Sequence, residues 1–506
     1  MIKFIDNRLN SITMYRLILY YLIFLLGVAM VFSVVGVLPL NPVGLLVSTL
    51  FLTGVCYLTN SIFARAFGVP ANFESVYISA LILALIVPPA ESTHDLWFLF
   101  WAAVLAMASK YILAINKKHL FNPVAFAVAL TAITLNQSAD WWVGNVPMLP
   151  FVLVGGLLII RKTRRFEMVF SFVFTSLLTT LVITILNRGD LGLVLQQTVL
   201  YSPLVFFGAV ILTEPLTTPP TRALQLIYGT LVGFLISPQF HIGSFYMTPE
   251  QAILIGNVFA YIVSPKAKLI LRLKDRVQVA PGIYDFIFAT NRKLAFAPGQ
   301  YMEWTLSHDN PDSRGNRRYF TLASSPTEND LIVGIKFYQN SSSYKRSMLA
   351  MRRNSEIVAA QLAGDFVLPR DPNQRLVFIA GGIGITPFRS MIKYLVDTGQ
   401  KRPITLFYAN RTEGEIVYKD VFDMAQRKLG LKTIYTLTDT RKVPTGWKGK
   451  VGYITPEMIT AEVPFYRNCF YYLSGPNSMV TSFQDTLTRL HVKSDHIKTD
   501  FFPGFA

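Results

Sequence analysis

Long apolar runs fill the first half of the chain, and short alternating runs fill the second half. Ten apolar runs follow one another up to about residue 265, and most approach the length of a helix that crosses a bilayer. They are 17–38, 43–64, 75–89, 96–113, 121–136, 147–160, 167–187, 194–213, 223–238 and 249–264. The shorter runs also fit tilted or broken helices. The pattern predicts a polytopic α-helical membrane domain over residues 1–265.

From about residue 268 the apolar residues come in short runs that turn residues separate. Runs at 269–273, 284–289, 300–306, 318–323 and 331–338 predict a small β-barrel over residues 266–372. After Arg375, strand-like and helix-like runs alternate at 376–380, 387–395, 405–409, 417–428, 433–437 and 470–473. This alternation predicts a doubly wound α/β domain with a parallel sheet over residues 373–506.

Charge divides the chain at the same place as hydrophobicity. Of the 506 residues, 22 charged ones lie in 1–265 and 55 lie in 266–506, and the net charge of +17 falls mostly on the second part. A basic soluble domain is typical of contact with anionic lipid headgroups or with nucleic acid. Since no nucleic-acid motif is visible, we expect a lipid bilayer and no nucleic acid as partners.

The cysteine content excludes several kinds of site. Cys56 and Cys469 are the two cysteines of the chain. They are too few for a disulfide framework, a cysteine zinc site or a four-cysteine iron–sulfur cluster. The sequence therefore predicts no metal site of these kinds.

Loop charges predict the orientation of the membrane domain. Basic residues gather in alternate loops: Lys3, Arg8, Arg16, Arg65, Lys110, Lys117, Lys118, Arg161, Lys162, Arg164, Arg165, Arg222, Lys266 and Lys268. The other loops carry acidic residues, with Arg188 as the basic exception. The positive-inside rule then places both termini in the cytoplasm of a multi-pass cell-membrane protein.

A weak internal repeat runs through the membrane half. Residues 121–127 resemble 256–260 about 135 residues later, and 86–89 resemble 217–220 about 131 residues later. Five runs per copy would make the copies inverted across the bilayer, and such repeats commonly enclose a site near their interface. Chance similarity between apolar segments is the alternative.

Polar residues interrupt two of the apolar runs. Asn122 precedes Pro123, and Thr213, Glu214 and Thr217 lie among prolines at the end of the eighth run. Prolines free backbone carbonyls, so hydroxyls and carbonyls there could meet a polar ligand, although an ordinary helix end explains the pattern equally well.

The Phe-Asn-Pro-x-x-Phe and Thr-Glu-Pro-x-Thr-Thr-Pro stretches, with the ten-run layout, give this half a family resemblance. It resembles the D subunit of the Rnf electron-transport complex and the homologous B subunit of the sodium-pumping NADH:quinone reductase. The resemblance implies a flavin in the membrane domain. The Ser-Gly-Ala-Thr-like motif for covalent flavin attachment is absent from this sequence. A non-covalent FMN or riboflavin near Asn122, Thr213 and Thr217 is therefore the expectation.

Two motifs in the soluble half indicate nucleotide chemistry. Gly381, Gly382 and Gly384 follow a predicted strand, and Thr386 and Pro387 open a predicted helix. Backbone N–H groups at such a turn can approach a pyrophosphate, although a plain tight turn is the alternative.

The second motif lies on a predicted barrel strand. Arg318, Phe320 and Thr321 supply a guanidinium for phosphate, a ring for stacking on an isoalloxazine and a hydroxyl for a ring nitrogen. Taken alone, such a tetrapeptide is usually only a strand.

Taken in order, these motifs resemble the ferredoxin–NADP reductase superfamily over about residues 268–506. The matching stretches are 298–301, 318–321, 341–345, 364–369, 381–387, 408–412 and 474–479. The resemblance implies FAD held by Arg318, Tyr319, Phe320, Thr321, Ser342 and Ser343. It implies NADH or NADPH held by Gly381, Gly382, Gly384, Thr386, Pro387, Asn410, Arg411, Gly475 and Pro476. It assigns catalytic roles to Thr321 and to Ser474, which stands where the family has cysteine.

Two details of the nucleotide site stay open at this point. Arg411 would favour NADPH by pairing with a 2′-phosphate, whereas Glu413 and Glu415 would favour NADH by holding a ribose diol. The ring of Phe501 would cover the flavin, or it would belong to a plain hydrophobic tail.

Together these expectations describe a membrane-bound, NAD(P)H-oxidising flavoprotein. A hydride would pass to FAD at the cytoplasmic face, and electrons would then enter or cross the membrane through a bound flavin to a quinone or external acceptor. Coupling to ion movement would follow from the sodium-pumping resemblance. The alternatives are a haem-containing ferric reductase or NADPH oxidase, and a transporter with a regulatory reductase domain.

Overall fold

The computed structural model describes residues 5, 9, 12–68, 73–115, 118–237, 240–243, 245–264, 269–290, 294–308, 311–312 and 315–500. The chain divides into two compact units, Met1–Lys266 and Ala267–Ala506.

The N-terminal unit is helical. Its helices are α1 (Met14–Val34), α2 (Pro42–Ala66), α3 (Phe73–Ile86), α4 (Thr93–Ile112), α5 (Pro123–Thr134), α6 (Leu149–Thr163), α7 (Phe166–Leu186), α8 (Leu191–Leu200), α9 (Leu204–Phe206), α10 (Arg222–Leu235) and α11 (Pro249–Val263). A π-helical turn, Phe207–Ile211, continues α9. Each of the ten predicted runs overlaps at least one of these helices.

The helices differ in their capacity to cross a membrane. Within the described residues, α1, α2, α4 and α7 are long and apolar enough to span, and the bent pair Leu191–Leu200 and Leu204–Ile211 would make a fifth. Helices α3, α5, α10 and α11 are apolar but shorter, with 14, 12, 14 and 15 residues. Four single helices in the described part of the chain are long and apolar enough to cross a membrane. Ten spans therefore stay a prediction.

Two glycines allow close contact between α7 and α10. Gly229 and Gly233, spaced as Gly-x-x-x-Gly on α10, lie against the backbone of Met168 and Phe172 on α7. A Cβ at either position would overlap the carbonyl of its neighbour. Such spacing lets helix backbones approach in apolar surroundings, where van der Waals packing holds helices together.

The bent helix pair packs against the loop that precedes α6. The two segments meet at 51° around residues 201–203. Gly144 lies so near Ser202 and Pro203 that a Cβ would come within 2.8 Å of their backbone. The same loop caps α3, because the backbone N–H groups of Asp140 and Trp141 donate to the Ile86 carbonyl at 2.9 and 2.8 Å.

The C-terminal unit begins with a six-stranded antiparallel sheet. Its strands are β1 (Leu269–Ala280), β2 (Ile283–Ala289), β3 (Tyr301–Thr305), β4 (Arg317–Thr321), β5 (Leu331–Lys336) and β6 (Glu356–Ala363), in the order β4-β3-β6-β1-β2-β5. The edges approach each other, since Ala323 N after β4 donates to Ile332 O on β5 at 2.8 Å. This confirms the small barrel, with β6 as a strand outside the predicted runs.

A parallel sheet of six strands follows the barrel. Its elements are β7 (Leu376–Gly381), α13 (Thr386–Thr398), β8 (Ile404–Asn410), α14 (Lys419–Leu429), β9 (Lys432–Leu437), β10 (Lys450–Val451), α15 (Pro456–Glu462), β11 (Phe470–Ser474), α16 (Asn477–Arg489) and β12 (Ile497–Asp500), and helix α12 (Ser343–Leu349) precedes β6. The strand order β10-β9-β8-β7-β11-β12 confirms the doubly wound prediction.

Hydrophobic packing joins the barrel to the parallel sheet. Ala280 and Ile283 at the β1–β2 turn belong to the same buried cluster as Phe366, Phe378 and Phe388. Phe378 and Phe388 stack with ring centroids 4.6 Å apart. This cluster therefore links the two layers and holds in place the elements that carry the candidate site.

Candidate functional site

The candidate site lies where the strand order of the parallel sheet reverses. Strand β7 pairs with β8 on one side and with β11 on the other, so the later strands of the chain are added on both sides of β7. Ligands of open α/β sheets bind outside the carboxyl ends of the strands at such a switch point. Gly381 ends β7 and Ser474 ends β11, so both predicted nucleotide motifs start at this point.

Two glycines of the first motif pack against the second motif. A Cβ on Gly381 would strike the Met479 sulfur, and a Cβ on Gly384 would lie within 2.6 Å of Gly475 backbone atoms. Gly382 has φ +52° and faces open space. Gly381 and Gly384 are therefore needed because the first motif packs closely against the second motif at these positions. Gly382 instead leaves room for a ligand.

The loop leads without interruption into α13. A 3-10 turn, Gly382–Ile385, precedes Thr386, and no side chain caps the helix. The Thr386 hydroxyl donates to Ile383 O at 3.3 Å, and Pro387 occupies the first turn. Uncapped amides at a helix N-terminus favour an anionic group, so this end of α13 fits a pyrophosphate.

The flavin motif on β4 divides between the two faces of the strand. Arg318 and Phe320 lie on the side of Tyr344, with the Arg318 guanidinium 5.0 Å from the Tyr344 ring centre. Tyr319 lies on the opposite side, where its hydroxyl donates to Glu303 at 2.8 Å. Thr321 follows Tyr319 by two positions and shares that side.

Arg318 is part of a group of donors that converge on one anion. Its guanidinium, 2% exposed, donates to the carbonyls of Gly315 and Arg317 at 3.1 and 2.7 Å and to the Asp312 carboxylate at 3.3 Å. Asp312 also accepts from the backbone N–H of Ser343 at 3.0 Å. The carboxylate lies between a guanidinium and a helix N-terminus, so this donor set fits a flavin phosphate.

The two serines have separate tasks beside this anion. Ser342 caps α12 by accepting from Lys345 N at 3.3 Å. The Ser343 hydroxyl accepts from Asp312 N at 2.9 Å and lies 3.1 Å from His308 Nε2. Both serines are buried, so their hydroxyls are held in place beside Arg318.

Asp500 unites the two predicted catalytic residues. The Thr321 hydroxyl donates to Asp500 Oδ2 at 3.3 Å, and the Ser474 hydroxyl donates to the same oxygen at 3.4 Å. Thr321 comes from the barrel, Ser474 ends β11, and Asp500 ends β12, which pairs with β11 in a register that sets Ser474 opposite Asp500. Sequence reasoning missed Asp500 as a site residue, because β12, whose end it occupies, was not among the predicted strands.

The predicted ribose contacts lie beyond β8. Asn410 is buried at the strand end, and its carbonyl accepts from Thr438 N at 2.8 Å. Arg411 is exposed. Glu415 forms an ion pair with Lys336 of the barrel at 2.9 Å, which draws it toward β5. Of the three charged residues weighed for nucleotide choice, Arg411 and Glu413 are the ones exposed to solvent.

Four polar side chains connect the barrel to α13 and its neighbouring segment beside the site. We call Asp285, Glu328, Arg389 and Tyr418 the seam. Arg389 forms a bidentate pair with Glu328 at 2.5 and 2.9 Å, and the Tyr418 hydroxyl donates to Asp285 at 2.6 Å. Burial raises the pKa of the Asp285 carboxyl, and the Tyr418 hydrogen bond opposes that rise. Sequence reasoning missed these residues, since none belongs to a motif.

In the helical unit, the structure brings Asn122 and Thr217 together through Glu214. Asn122 Nδ2 donates to Glu214 Oε2 at 2.8 Å, and the Thr217 hydroxyl donates to the same oxygen at 3.1 Å. Asn257 accepts from Asn122 N at 2.8 Å, so the two similar sequence stretches touch. The Thr213 hydroxyl instead donates to Ala209 O of its own helix at 2.6 Å. Asn122, Thr217 and Asn257 are buried, whereas Glu214 is partly exposed.

The position of Gly475 and Pro476 agrees with the second motif, whereas Phe501 is outside the described residues. Gly475 has φ +156° and lies against Gly381, and Pro476 precedes α16. These residues form one wall of the switch point.

Known proteins resemble the C-terminal unit. Residues 378–485 match the family model described as an oxidoreductase NAD-binding domain. A flavohemoprotein of Bacillus cereus is 26% identical over 218 residues, covering 41% of this chain and 53% of that protein. NADH-cytochrome b5 reductase 1 of Ajellomyces capsulatus is 25% identical over 256 residues, covering 47% of this chain and 80% of that protein. The chain thus spans about half the length of the flavohemoproteins it matches.

Solved structures match the same part of the chain. The cytochrome b5 reductase domain of Ulva prolifera nitrate reductase is 19% identical with a TM-score of 0.40, covering 47% of this chain and 98% of that chain. Within the C-terminal unit, a β-barrel therefore precedes the residues that match the oxidoreductase NAD-binding family model.

Proposed function

We propose that the protein is a membrane-bound flavoenzyme that oxidises NADH or NADPH at the cytoplasmic face of the cell membrane. The observation that carries this proposal is the shared hydrogen bonding of Thr321 and Ser474 to Asp500. It joins the strand of the flavin motif to the strand of the nicotinamide motif. The NADH-dependent and flavin-containing names of the relatives support the same chemistry.

FAD, when bound, would accept the two electrons of a hydride and release them one at a time. Arg318 and Ser343 would hold its phosphates, since their donors already converge on one carboxylate. The uncapped N-terminus of α13 would hold the pyrophosphate of the nicotinamide nucleotide. Each anchor would thus hold the phosphates of one ligand.

Thr321, Ser474 and Asp500 would then order the reacting groups between those anchors. Because both hydroxyls donate to Asp500, their oxygens stay free to accept and their positions are fixed. Bonds of 3.3 and 3.4 Å are long, as catalytic hydrogen bonds often are before ligands bind. Asp500 lies 8% exposed, so water competes little for these bonds.

Replacing Asp500 by asparagine should slow flavin reduction by NADH about tenfold or more, because a hydrogen bond to a charged group contributes roughly 1.5–3 kcal/mol. Anaerobic stopped-flow absorbance of the purified full-length protein measures the rate. The matched control is Asp495→Asn, an exposed carboxylate in the same terminal segment. Equal rates for both variants would contradict the role assigned to Asp500.

We further propose that the helical unit is a multi-pass membrane domain that carries electrons onward through a non-covalent FMN or riboflavin. The four spanning-length helices and the basic alternate loops support the membrane and the orientation. The polar cluster of Asn122, Glu214 and Thr217, in which Glu214 stays partly exposed, supports a polar ligand site between helices. Contact between Asn122 and Asn257 supports the inverted repeat. A quinone or an external acceptor would receive the electrons, and coupled ion movement is part of the proposal.

One experiment tests the whole route. Full-length protein is purified in detergent, its flavins are extracted and identified, and it is reconstituted into vesicles with a quinone. We expect FAD together with FMN or riboflavin, and flavin reduction by NADH or NADPH added on the side of the C-terminal unit. FAD as the sole flavin would remove the proposed membrane carrier, and a haem absorption band would favour the haem-containing alternative. Sodium uptake driven by the nucleotide would separate ion coupling from plain electron transfer.

A further inference from the structure

The relative position of the two nucleotide motifs depends on contacts between the barrel and α13. Thr321 lies on the barrel, whereas Thr386 and Ser474 lie on the parallel sheet and its first helix. Hydride transfer requires the reacting atoms about 3–3.5 Å apart, and a misplacement of about 1 Å can cost a hundredfold in rate. Side chains that fix this spacing therefore act on the rate.

Helix α13 grips the barrel immediately after Thr321. Arg389, one turn beyond Thr386, donates to the Ala323 carbonyl at 2.9 Å. Ser390 donates through its hydroxyl to the Ser324 carbonyl at 2.6 Å. The carbonyls that receive these bonds stand two and three residues after Thr321. The helix that begins at the nicotinamide loop thus holds the segment that ends the flavin strand.

Glu328 completes this grip from the barrel side. Its carboxylate accepts both terminal nitrogens of Arg389 and also accepts from Ser325 N at 2.6 Å. The same carboxylate therefore fixes Arg389 and the loop that follows Thr321. A bidentate guanidinium–carboxylate pair adds geometric specificity to charge, and lysine cannot reproduce it.

The rest of the seam limits the freedom of Arg389 further. Its guanidinium carbon lies 5.5 Å from the centre of the Tyr418 ring, and the Tyr418 hydroxyl is bonded to Asp285 on β2. Arg389 is 8% exposed, and Ser324 and Ser390 are fully buried. A buried side chain with several hydrogen bonds is rigid, so Arg389 holds the segments that it contacts at a fixed distance.

We propose that Arg389, paired with Glu328, is a positioning residue that sets the distance between the nicotinamide and the flavin during hydride transfer. The inference rests on the proposed function, and it adds a residue that lies outside both nucleotide motifs. Arg389 acts through Ala323 on Thr321 and through its own helix on Thr386.

The test compares Arg389→Lys with Arg402→Lys in the purified full-length protein. Arg402 is a matched control, because it is 9% exposed and donates to the carbonyls of Pro369 and Asp371 at 2.8 and 3.1 Å. It lies just before β8, at the amino ends of the parallel strands, whereas the switch point lies at their carboxyl ends. Both variants lose a buried guanidinium, but Arg389 belongs to the seam and Arg402 does not.

Anaerobic stopped-flow measures the rate of flavin reduction at saturating NADH, its half-saturation and the long-wavelength charge-transfer absorbance of the flavin–nicotinamide complex. We expect Arg389→Lys to slow reduction about tenfold to a hundredfold, with half-saturation nearly unchanged and the charge-transfer absorbance weakened. Arg402→Lys should keep the wild-type rate and absorbance. Equal rates and absorbance in the two variants would overturn the inference.

Glu328→Gln leaves Arg389 in place and should slow reduction in the same way, which keeps the test decisive if Arg389→Lys fails to fold. Where both single variants fold, the Arg389→Lys/Glu328→Gln double variant measures their coupling. If Arg389 and Glu328 act as a pair, replacing either one removes most of the effect of the pair on the rate. The double variant should then be little slower than either single variant. Fully additive losses would overturn the pairing. Wild-type protein that binds flavin but is reduced by neither NADH nor NADPH would instead refute the proposed function, which separates the two failures.

Discussion

Replacing Arg318 by alanine is expected to leave the purified protein without FAD and to destabilise the C-terminal unit by about 3–5 kcal/mol. The guanidinium is buried, and it balances the charge of Asp312. Without it, the Asp312 carboxylate and the carbonyls of Gly315 and Arg317 lose their shared donor. The phosphate site would lose its positive charge at the same time. Flavin absorbance per protein and thermal melting measure the two effects.

Two further variants separate charge from geometry at this position. Arg318→Lys keeps the charge but loses the fork of donors, so it should retain part of the flavin. Arg317→Ala, at a neighbouring half-buried arginine, removes an ion pair with Glu303 at 3.5 Å and should leave FAD bound. A full complement of FAD in Arg318→Ala would refute the assignment of Arg318 to the flavin phosphates.

Replacing Gly384 by alanine is expected to lower flavin reduction by NADH on the order of a hundredfold while FAD stays bound. The added Cβ would lie within 2.6 Å of Gly475 backbone atoms, which cannot move cheaply. Separation of the two loops would shift Ser474 away from Asp500 and widen the switch point. Stopped-flow reduction by NADH, compared with reduction by dithionite, isolates the nicotinamide step.

The control for this variant is Gly54→Ala. Gly54 lies in α2, where a new Cβ meets no atom within 4 Å, so NADH-dependent reduction should be unaffected. If Gly384→Ala were reduced by NADH as fast as the wild type, close packing of the two loops would not control the nicotinamide step. The glycine at this position would then serve only the turn.

The motifs of the soluble half were readable from sequence because each is local. A glycine loop after an apolar strand and before a Thr-Pro helix start needs only neighbouring residues, and the structure places it at β7 and α13. The alternation of strands and helices also sufficed for the doubly wound sheet. Strand β6 and the short strands β10 and β12 lack strong local signals, so they emerged only from their partners.

The missed residues of the candidate site act over long sequence distances. Asp500 lies 179 residues from Thr321, and Arg389 lies 61 residues from Glu328. Neither pair belongs to a spaced motif, since the contact is made by packing the barrel on the sheet. Glu415 shows the same limit, because its ion pair with Lys336, 79 residues earlier in the chain, is formed by the fold.

Sequence by itself determined that the chain joins an apolar helical half to a soluble half with ordered nucleotide motifs, because hydrophobic period and short motifs are local properties. Tertiary structure decided which side chains meet: Thr321 and Ser474 on Asp500, Arg389 on Glu328, and Asn122 on Glu214. It also decided that Gly381 and Gly384 serve contact between loops. Hydrogen bonds and close packing depend on distances of a few ångströms between remote segments, and the folded chain alone sets those distances.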